Sequence, residues 1–483
     1  MRAVALVALT TLVCASGIAA AQDRNAELEA LKNEISELRR RDAETHQRLD
    51  ELERRLDAIG GPVKEPPSSA AAPAPSGSTA LDQAVEALEK EREPAPPATA
   101  PPPPPPDLWA RQVGGGRLRL VDISLDTLVA VGTSTATDDE LRQLEAGAHD
   151  PDRRGFTLQQ AELSLTGAVD PYLNGEAHIV YVPDGVELEE AFFTTQSLPH
   201  GLQLRGGYFF TEFGLINPVH PHAWDWLDQP IINSRLFGGD GLRSPGAQLA
   251  WLTPLPWFSE LHVGVQNANE GETTFSFISG ESIGGWPPVD RSVHSLEDLL
   301  YLARWNHSWS LTDDLTALAG VSGLYGPNSS SSDGDTWIYG ADFKVRWRPA
   351  DNFRGWPFFL WQSEASKRDY SVDPVAPGNA PARLLRDYGF YTQFLYGFRY
   401  GWGVGLRYEY ATGNGESLGG RNSDPFRDDR HRVSPLVVWH PTEYSRFRLQ
   451  YNYDNAAHLE DNDAHSVWLG AEILYGAHPA HKY

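Results

Sequence analysis

Hydrophobic and polar residues alternate with a period of two through much of the chain beyond Gly116. In one such segment, Trp402, Val404, Leu406, Tyr408 and Tyr410 alternate with glycine, arginine and glutamate. Successive side chains of a strand point to opposite faces, so the pattern predicts strands with one apolar and one polar face. Between residues 117 and 475 we count sixteen such segments.

The connections between these predicted strands also alternate in length. Those after even-numbered strands are short and turn-like, whereas most of those after odd-numbered strands are long and rich in Gly, Ser, Asp and Asn. An even number of strands with turns on one side and loops on the other is typical of an outer-membrane barrel. Aromatic residues that would form its interfacial girdles are Trp305, Trp309, Trp337, Trp347, Trp439 and Tyr475. The predicted fold is therefore an all-β, 16-stranded antiparallel transmembrane barrel over residues 117–483.

A different pattern precedes the barrel. Between Leu28 and Ile59, apolar residues recur at alternating spacings of three and four, which predicts a self-associating α-helical coiled coil over residues 22–60. Residues 61–116 are rich in Pro and Ala and include six consecutive prolines at 101–106, as expected of a semi-rigid linker. The coiled coil would lie in the periplasm, where residues 22–60 could contact the cell wall.

Composition agrees with this division. The first aromatic residue is Trp109, and residues 1–21 read as a secretory signal peptide that ends in Ala19-Ala20-Ala21. The only cysteine, Cys14, lies within that signal, so the mature chain would hold no disulfide or thiolate site. A formal net charge of -25 argues against nucleic acid as a partner.

Residues 214–244 form one of the two longest insertions between predicted strands. The insertion contains Trp224, Trp226, Leu227, Leu236 and Phe237, which makes it too apolar for a loop in bulk water. We therefore predict that it folds back into the barrel lumen.

The order of coiled coil, linker and sixteen-strand barrel resembles the phosphate-selective porin O and P superfamily. The motif that carries the resemblance is Gly207-Tyr208-Phe209, then Phe213-Gly214-Leu215, with a return through residues 233–238 to Gly241. The resemblance implies a homotrimeric diffusion channel in outer-membrane lipid, whose third loop narrows the pore. It places near that constriction Asp225, Asp228, Arg235, Asp240 and Arg243. The chain departs from the family's phosphate-selective members, which line the pore with dense Arg and Lys, and it continues past its last strand as a tail, residues 476–483.

Every second residue of a strand faces the lumen, a rule here called strand parity. It assigns the following basic side chains to the lumen: Arg205, Arg304, Lys344, Arg346, Arg399, Arg407, Arg430, Arg432, Arg446 and Arg448. Eight acidic side chains oppose them by the same rule: Asp122, Asp126, Glu162, Glu176, Asp342, Glu409, Asp454 and Glu472. The basic residues either favour small anions or pair with the carboxylates and keep the lumen polar. The expected function is passive diffusion of small hydrophilic solutes with a weak preference for anions.

Two further hypotheses concern chemistry. His220 and His222 could supply two metal ligands, with Asp225 as a third, but loop packing is the favoured explanation and no metal or other cofactor is expected. No catalytic residues form a recognisable signature, so the chain is not expected to be an enzyme. The alternatives are an envelope tether that acts through the coiled coil and a metal (zinc)-linked outer-membrane uptake receptor. Deleting residues 22–106 would separate the channel from the tether.

Overall fold

A computed structural model of the chain describes residues 110–113, 116–119, 121–183, 185–372, 383–415, 417–418 and 424–476. The predicted signal peptide, the coiled coil, most of the linker and the tail after Gly476 lie outside the described residues. Among the helices of the described part, none is long and apolar enough to cross a membrane.

Sixteen strands of the described residues form one closed sheet. Their bounds are β3 (Asp122–Ser134), β4 (Gly155–Ala168), β5 (Leu173–Val182), β6 (Gly185–Thr195), β7 (Leu202–Phe210), β8 (Arg243–Leu252), β9 (Phe258–Asn267), β10 (Leu299–Thr312), β11 (Leu315–Pro327), β12 (Asp335–Trp347), β13 (Phe358–Val372), β14 (Arg383–Arg399), β15 (Trp402–Asn414), β16 (Arg430–Thr442), β17 (Ser445–Ala456) and β18 (Asp463–Gly476). Each overlaps one of the sixteen predicted segments.

The barrel is antiparallel throughout, and each strand pairs with its neighbour in the sequence. It closes where β18 pairs with β3, from Ser466 opposite Ser134 to Gly476 opposite Ser124. Closure leaves no strand edge with unpaired backbone groups, as a barrel in lipid requires. The predicted sixteen-strand antiparallel barrel is confirmed.

The first barrel strand begins later than its predicted start at residue 117. Residues Gly116–Arg119 form a short strand, β2, that pairs with β1 (Ala110–Val113) in a separate two-stranded hairpin. The barrel ladder starts at Asp122, which pairs with Thr166 of β4, and the described pairing with β18 reaches from Ser134 to Ser124.

The two ends of the barrel differ as the sequence predicts. At one end, here called the turn side, strands are joined by short connections such as 169–172, 313–314, 400–401 and 443–444. At the other, the loop side, the connections include 135–154, 211–242, 268–298 and 415–429. Both described ends of the barrel, Asp122 and Gly476, lie on the turn side.

The outer face of the barrel is apolar. Leu406, Leu449 and Val263 point outward and are 47%, 49% and 50% exposed, while their strand neighbours turn polar groups inward. Near the turn side, Trp402 stacks on Trp439 with ring centroids 5.6 Å apart and an interplanar angle of 22°. An apolar belt with aromatic residues near the strand ends matches a surface in contact with lipid.

The hydrophobic core lies inside the barrel, in its loop-side half. Residues 211–242, here called the inward segment, include the helix α2 (Ile231–Phe237). Phe213 and Leu236 of this segment pack against Leu302 of β10 and Ile338 of β12, and all four are nearly inaccessible to solvent.

A second part of the core surrounds the helix α1 (Asp138–Leu144) in the loop between β3 and β4. Thr137 caps this helix in a reciprocal arrangement with Glu140, and the opposite face buries Leu141 and Leu144 against Trp468 of β18. The loops thus fill the loop-side half of the lumen and leave its turn-side half open.

Candidate functional site

The inward segment crosses the lumen from the strands that carry it. It leaves β7 and returns to β8, yet Nε1 of Trp226 donates to the carbonyl oxygen of Ser434 on β16, at 3.0 Å. The backbone N–H of Leu227 donates to Oε1 of Gln450 on β17, at 2.8 Å. Strands β16 and β17 lie nearly opposite β7 and β8 in the closed sheet. The inward segment therefore contacts strands on the far side of the lumen.

Two glycines in the far wall make room for the segment. A Cβ built on Gly405 of β15 would lie 3.0 Å from the Trp226 ring, and one on Gly470 of β18 would overlap the Leu227 side chain. Any larger residue at Gly470 would therefore displace Leu227 or the strand. The close approach explains why these inward-facing strand positions carry no side chain.

Asp228 holds the segment to the wall through buried charges. Its carboxylate forms ion pairs with Arg407 of β15 and, at 2.6 Å, with Arg432 of β16. Arg432 also contacts Glu145 at 2.9 Å and Asp454 at 2.8 Å. The family resemblance places Asp228 at the constriction, but its charge is fully paired and inaccessible to solvent. The arginines keep the pKa of the Asp228 carboxyl below its usual value although burial acts in the opposite direction.

Both arginines predicted at the constriction are buried as well. Arg235 on α2 donates from Nη2 to the carbonyl oxygen of Asp428 at 2.7 Å, and burial lowers the pKa of its guanidinium to about 10. Arg243 forms an ion pair with Glu187, and its Cζ lies 5.2 Å from the ring centroid of Phe210. Neither guanidinium borders the open part of the lumen, so a pore-lining role for them has no support in the geometry.

The basic residues assigned to the lumen by strand parity divide into an open and a buried group. In the described chain, Arg205, Lys344, Arg346 and Arg446 border the open cavity. Arg304 is buried and pairs with Asp342 at 2.5 Å. The other buried members bind carboxylates or loop carbonyl groups: Arg407 with Asp228, Arg430 and Arg432 with Asp454, and Arg448 with the carbonyl oxygens of Trp224 and Trp226.

Arg399 is the exception to the parity assignment, and its predicted lumen position is wrong. The β14–β15 ladder is irregular between Gly397 and Arg399, next to the turn. The Arg399 guanidinium lies 5.6 Å from the ring centroid of Trp402, which belongs to the outward face. A bulge adds a residue and so reverses the alternation on which the prediction relied.

A cavity of about 2000 Å³ occupies the turn-side half of the lumen. Of the five residues predicted at the constriction, Asp225 alone borders this cavity in the described chain, whereas Asp240 borders a small separate one. Eight carboxylates of the described residues line it: Glu162, Glu176, Glu190, Glu212, Asp225, Glu260, Glu443 and Glu472. Six basic residues of the same part of the chain do so: Arg205, Lys344, Arg346, Arg348, Arg354 and Arg446.

One border of this cavity carries a cluster of histidines and glutamates, here called the His–Glu cluster. His220 and His222 come from the inward segment, and each places Nδ1 near Oε2 of Glu162 on β4, at 3.1 Å and 2.8 Å. His178 of β5 lies 3.0 Å from the other oxygen of Glu162. Nε2 of His220 lies 2.7 Å from Glu190 of β6.

The electrostatics of the His–Glu cluster favour positive charge. Burial acts against a proton on His220, but the Glu162 and Glu189 carboxylates outweigh it and hold the pKa of the imidazole well above its usual value. Glu162, His220 and His222 place one donor atom each within 4.8 Å of one another, as do His178, Glu190 and His220. Either trio has the donor atoms and spacing to hold a metal ion.

Comparison with known proteins finds a relative in sequence but does not assign the chain to a family. No family model matches the chain. An uncharacterized protein of Aquifex aeolicus (strain VF5) is 29% identical over 390 residues, which cover 75% of this chain and 80% of that protein. The resemblance to the phosphate-selective porin O and P superfamily therefore stays a prediction.

Among solved structures, the chain is similar to three outer-membrane proteins, and in each case the match covers 74% of it. The outer membrane channel DcaP of Acinetobacter baumannii is 13% identical in sequence, the match covers 96% of its chain, and the TM-score is 0.49. The anion-selective porin from Comamonas acidovorans is 9% identical, with 100% of its chain covered and a TM-score of 0.44. OprB of Pseudomonas putida is 9% identical, with 94% of its chain covered and a TM-score of 0.43.

Sequence reasoning identifies two residues of the His–Glu cluster and misses the others. It selects His220 and His222 but names Asp225 as the third ligand, whereas Glu162 occupies that position. Parity does place Glu162 in the lumen. The sequence does not show how far the inward segment extends into the lumen, so it does not show which inward-facing carboxylates the segment contacts.

Proposed function

We propose that this protein is an outer-membrane channel for the passive diffusion of small hydrophilic solutes. The observation that carries the proposal is a closed barrel, apolar outside, with a cavity of about 2000 Å³ bordered by charged side chains inside it. A polar lumen wide enough to hold water is the feature that distinguishes diffusion channels from barrels that serve only as anchors.

The location follows from the outer surface and the predicted signal. Outward positions such as Leu406, Leu449 and Val263 would be costly to expose to water together, and lipid removes that cost. A signal peptide at residues 1–21 would export the chain, after which the barrel would insert with its turn side toward the periplasm. The homotrimer implied by the family resemblance stays a prediction, which cross-linking in membranes would test.

The charge of the cavity argues against the anion preference predicted from the sequence. That preference counted Arg304, Arg407 and Arg448, which are buried in contact with carboxylates or carbonyl groups and do not face the cavity. Of the Asp, Glu, Lys and Arg side chains that border it in the described chain, eight are acidic and six are basic, and the raised pKa of the bordering His220 adds positive charge. We expect a channel of mixed charge that discriminates only weakly between cations and anions.

The inward segment sets the size of the solutes. Since it occupies the loop-side half of the lumen together with the 135–154 loop, a solute path through that half must be narrower than the turn-side cavity. We therefore expect single-channel conductance well below that of a sixteen-strand barrel without such a segment, and exclusion of larger solutes.

Reconstitution into planar bilayers tests the proposal. Purified full-length protein should produce discrete conductance steps without an energy source, and a KCl gradient should give a reversal potential close to zero. The same preparation, heated until the barrel unfolds, is the control. Absence of conductance from folded protein would contradict the channel, and a large reversal potential of either sign would contradict only the charge argument.

A further inference from the structure

We propose that His220, His222 and Glu162 form a binding site for a divalent transition-metal ion of the zinc class. The site lies inside the barrel, where the inward segment meets β4 and borders the turn-side cavity. Its ligands come from two parts of the chain that are 58 to 60 residues apart, so a bound ion would join the inward segment to the wall.

The distances match those of a small coordination shell. Ligand atoms about 2.0–2.1 Å from a tetrahedral zinc ion lie roughly 3.3 Å from one another. Oε2 of Glu162 lies 3.1 Å from Nδ1 of His220 and 2.8 Å from Nδ1 of His222. All three atoms lie within 4.8 Å of one another, so small side-chain movements suffice to surround an ion.

Glu189 of β6 supplies the independent observation that points to a ligand. Its carboxylate is 1% exposed, and neither oxygen accepts a well-aligned hydrogen bond from the described residues. One oxygen lies 2.9 Å from the same Nδ1 atom of His220. A buried carboxylate aimed into the cluster without a good donor is costly, and it is in position to serve as a fourth ligand.

The surrounding groups orient the proposed ligands. Oε2 of Glu190 lies 2.7 Å from Nε2 of His220, so it can accept that N–H and leave Nδ1 as the metal-binding nitrogen. Nδ1 of His178 lies 3.0 Å from Oε1 of Glu162 and can donate to it, which leaves Oε2 for the ion. Carboxylates behind ligating histidines are a regular feature of zinc sites.

The negative charges around the proposed site also favour a bound cation. Among the ion pairs of the described residues, none joins Glu162, Glu189 or Glu190 to a lysine or arginine. Their only basic partners in that part of the chain are histidines. A divalent ion bound here would compensate the charge of these three buried carboxylates.

The donor set selects the class of ion. Two imidazole nitrogens with one or two carboxylate oxygens suit Zn²⁺ and neighbouring transition metals. Ca²⁺ and Mg²⁺ prefer six or more oxygen ligands and would gain little from imidazole. Because Glu162, His220 and His222 border the open cavity, an ion can reach the site from the turn side.

Calorimetric titration of the full-length protein in detergent with ZnCl₂ tests the proposal. The titrations use a background with His478→Ala and His481→Ala, which removes histidines of the C-terminal tail that could bind zinc on their own. We expect one saturable site per chain. Loss of both loop imidazoles in His220→Ala/His222→Ala should weaken binding by at least about 100-fold, and Glu190→Gln by roughly 10- to 100-fold.

His262→Ala is the matched control, because His262 borders the same cavity and contacts Glu260 outside the cluster. It should leave the affinity unchanged. Folding of each variant is checked by the heat-dependent shift of the barrel in electrophoresis, and the isosteric Glu162→Gln replaces any variant that fails to fold. Substitution with Co²⁺ should give the strong visible absorption of a four-coordinate ion.

Three results would overturn the site. They are the absence of saturable zinc binding, unchanged affinity in both Glu162→Gln and the double histidine variant, and a loss of affinity in His262→Ala equal to that in the cluster variants. None of these measurements uses conductance, so the metal site and the channel can fail separately.

Discussion

The Asp228 carboxylate, carried by the inward segment, lies 2.6 Å from Nη1 of Arg432 on the opposite wall of the barrel. Both side chains are almost fully buried, and Arg407 contacts the same carboxylate. Asp228 is the carboxylate that the two arginines share, whereas Arg407 also contacts Glu409 and Arg432 also contacts Glu145 and Asp454. The pairing therefore determines where the inward segment rests.

Asp228→Ala should release the segment from the wall. Because Arg407 and Arg432 each lose a buried, charge-assisted contact but keep other carboxylates, we expect a loss of about 2–3 kcal/mol in the free energy of unfolding, together with larger and noisier single-channel currents. The control is Asp139→Ala, which breaks the exposed pair with Arg142 and should cost about 0.5 kcal/mol or less. Denaturant unfolding in detergent measures the difference, and equal losses in the two variants would refute the role of Asp228.

Gly470→Leu should displace the tip of the inward segment. A side chain at this position overlaps Leu227, whereas a Cβ at the outward-facing Gly323 would have no other atom within 4 Å. We expect Gly470→Leu to make residues 211–242 accessible to added protease and Gly323→Leu to leave them protected. Protection of both variants would show that the segment does not occupy the space beside Gly470.

The sequence predicts the strands of the barrel well, but it predicts the positions of the residues inside the barrel less well. All sixteen strands follow from period-two alternation, because lipid on one face and polar groups on the other impose that period directly. The prediction for Arg399 fails because the strand has a bulge between Gly397 and Arg399, and the hydrophobic–polar pattern of the sequence does not reveal it.

The residues inside the barrel are harder to predict, since their positions depend on how a non-repetitive segment folds. The apolar sequence around Trp226 predicts burial but carries no information on which strands it contacts. The charges of Arg235 and Arg243 suggest a place at the pore, yet each is buried by partners such as Asp428 and Glu187 that are distant in the sequence.

Asp150 gives the loops a dependence on pH. Its carboxylate accepts from the backbone N–H groups of Gly147 and Gln229, at 2.9 Å and 2.8 Å, and so joins the 135–154 loop to the inward segment. Burial, with the nearby charge of Asp228, raises its pKa from 3.8 to about 7. A raised carboxyl pKa means that the folded state binds the proton more tightly than the unfolded state.

The stability that this proton provides is therefore complete below about pH 4 and is lost as pH rises through about 7. We expect amide hydrogen exchange at Gly147 and Gln229 to be faster at about pH 8 than at about pH 6, after correction for the intrinsic rate. Asp150→Asn should remove most of that difference. Slower corrected exchange at the higher pH would contradict the sign.

Asp225→Lys should change ion selectivity. Asp225 borders the cavity, and replacing its negative charge with a positive one shifts the charge of the described lining toward positive. The reversal potential in a KCl gradient should move toward the anion side. Asp139→Lys, on the exposed surface of α1, is the control and should leave the potential unchanged.

The most direct test of the channel uses the absence of cysteine from the predicted mature chain. In Asp225→Cys the new thiol would border the cavity, and in Val321→Cys it would face the lipid, where Val321 is 57% exposed. Single-channel current is recorded before and after addition of a charged, membrane-impermeant thiol reagent. The proposed channel predicts a stepwise fall in current for Asp225→Cys and none for Val321→Cys. Unchanged current through a demonstrably modified Asp225→Cys would contradict conduction through this lumen.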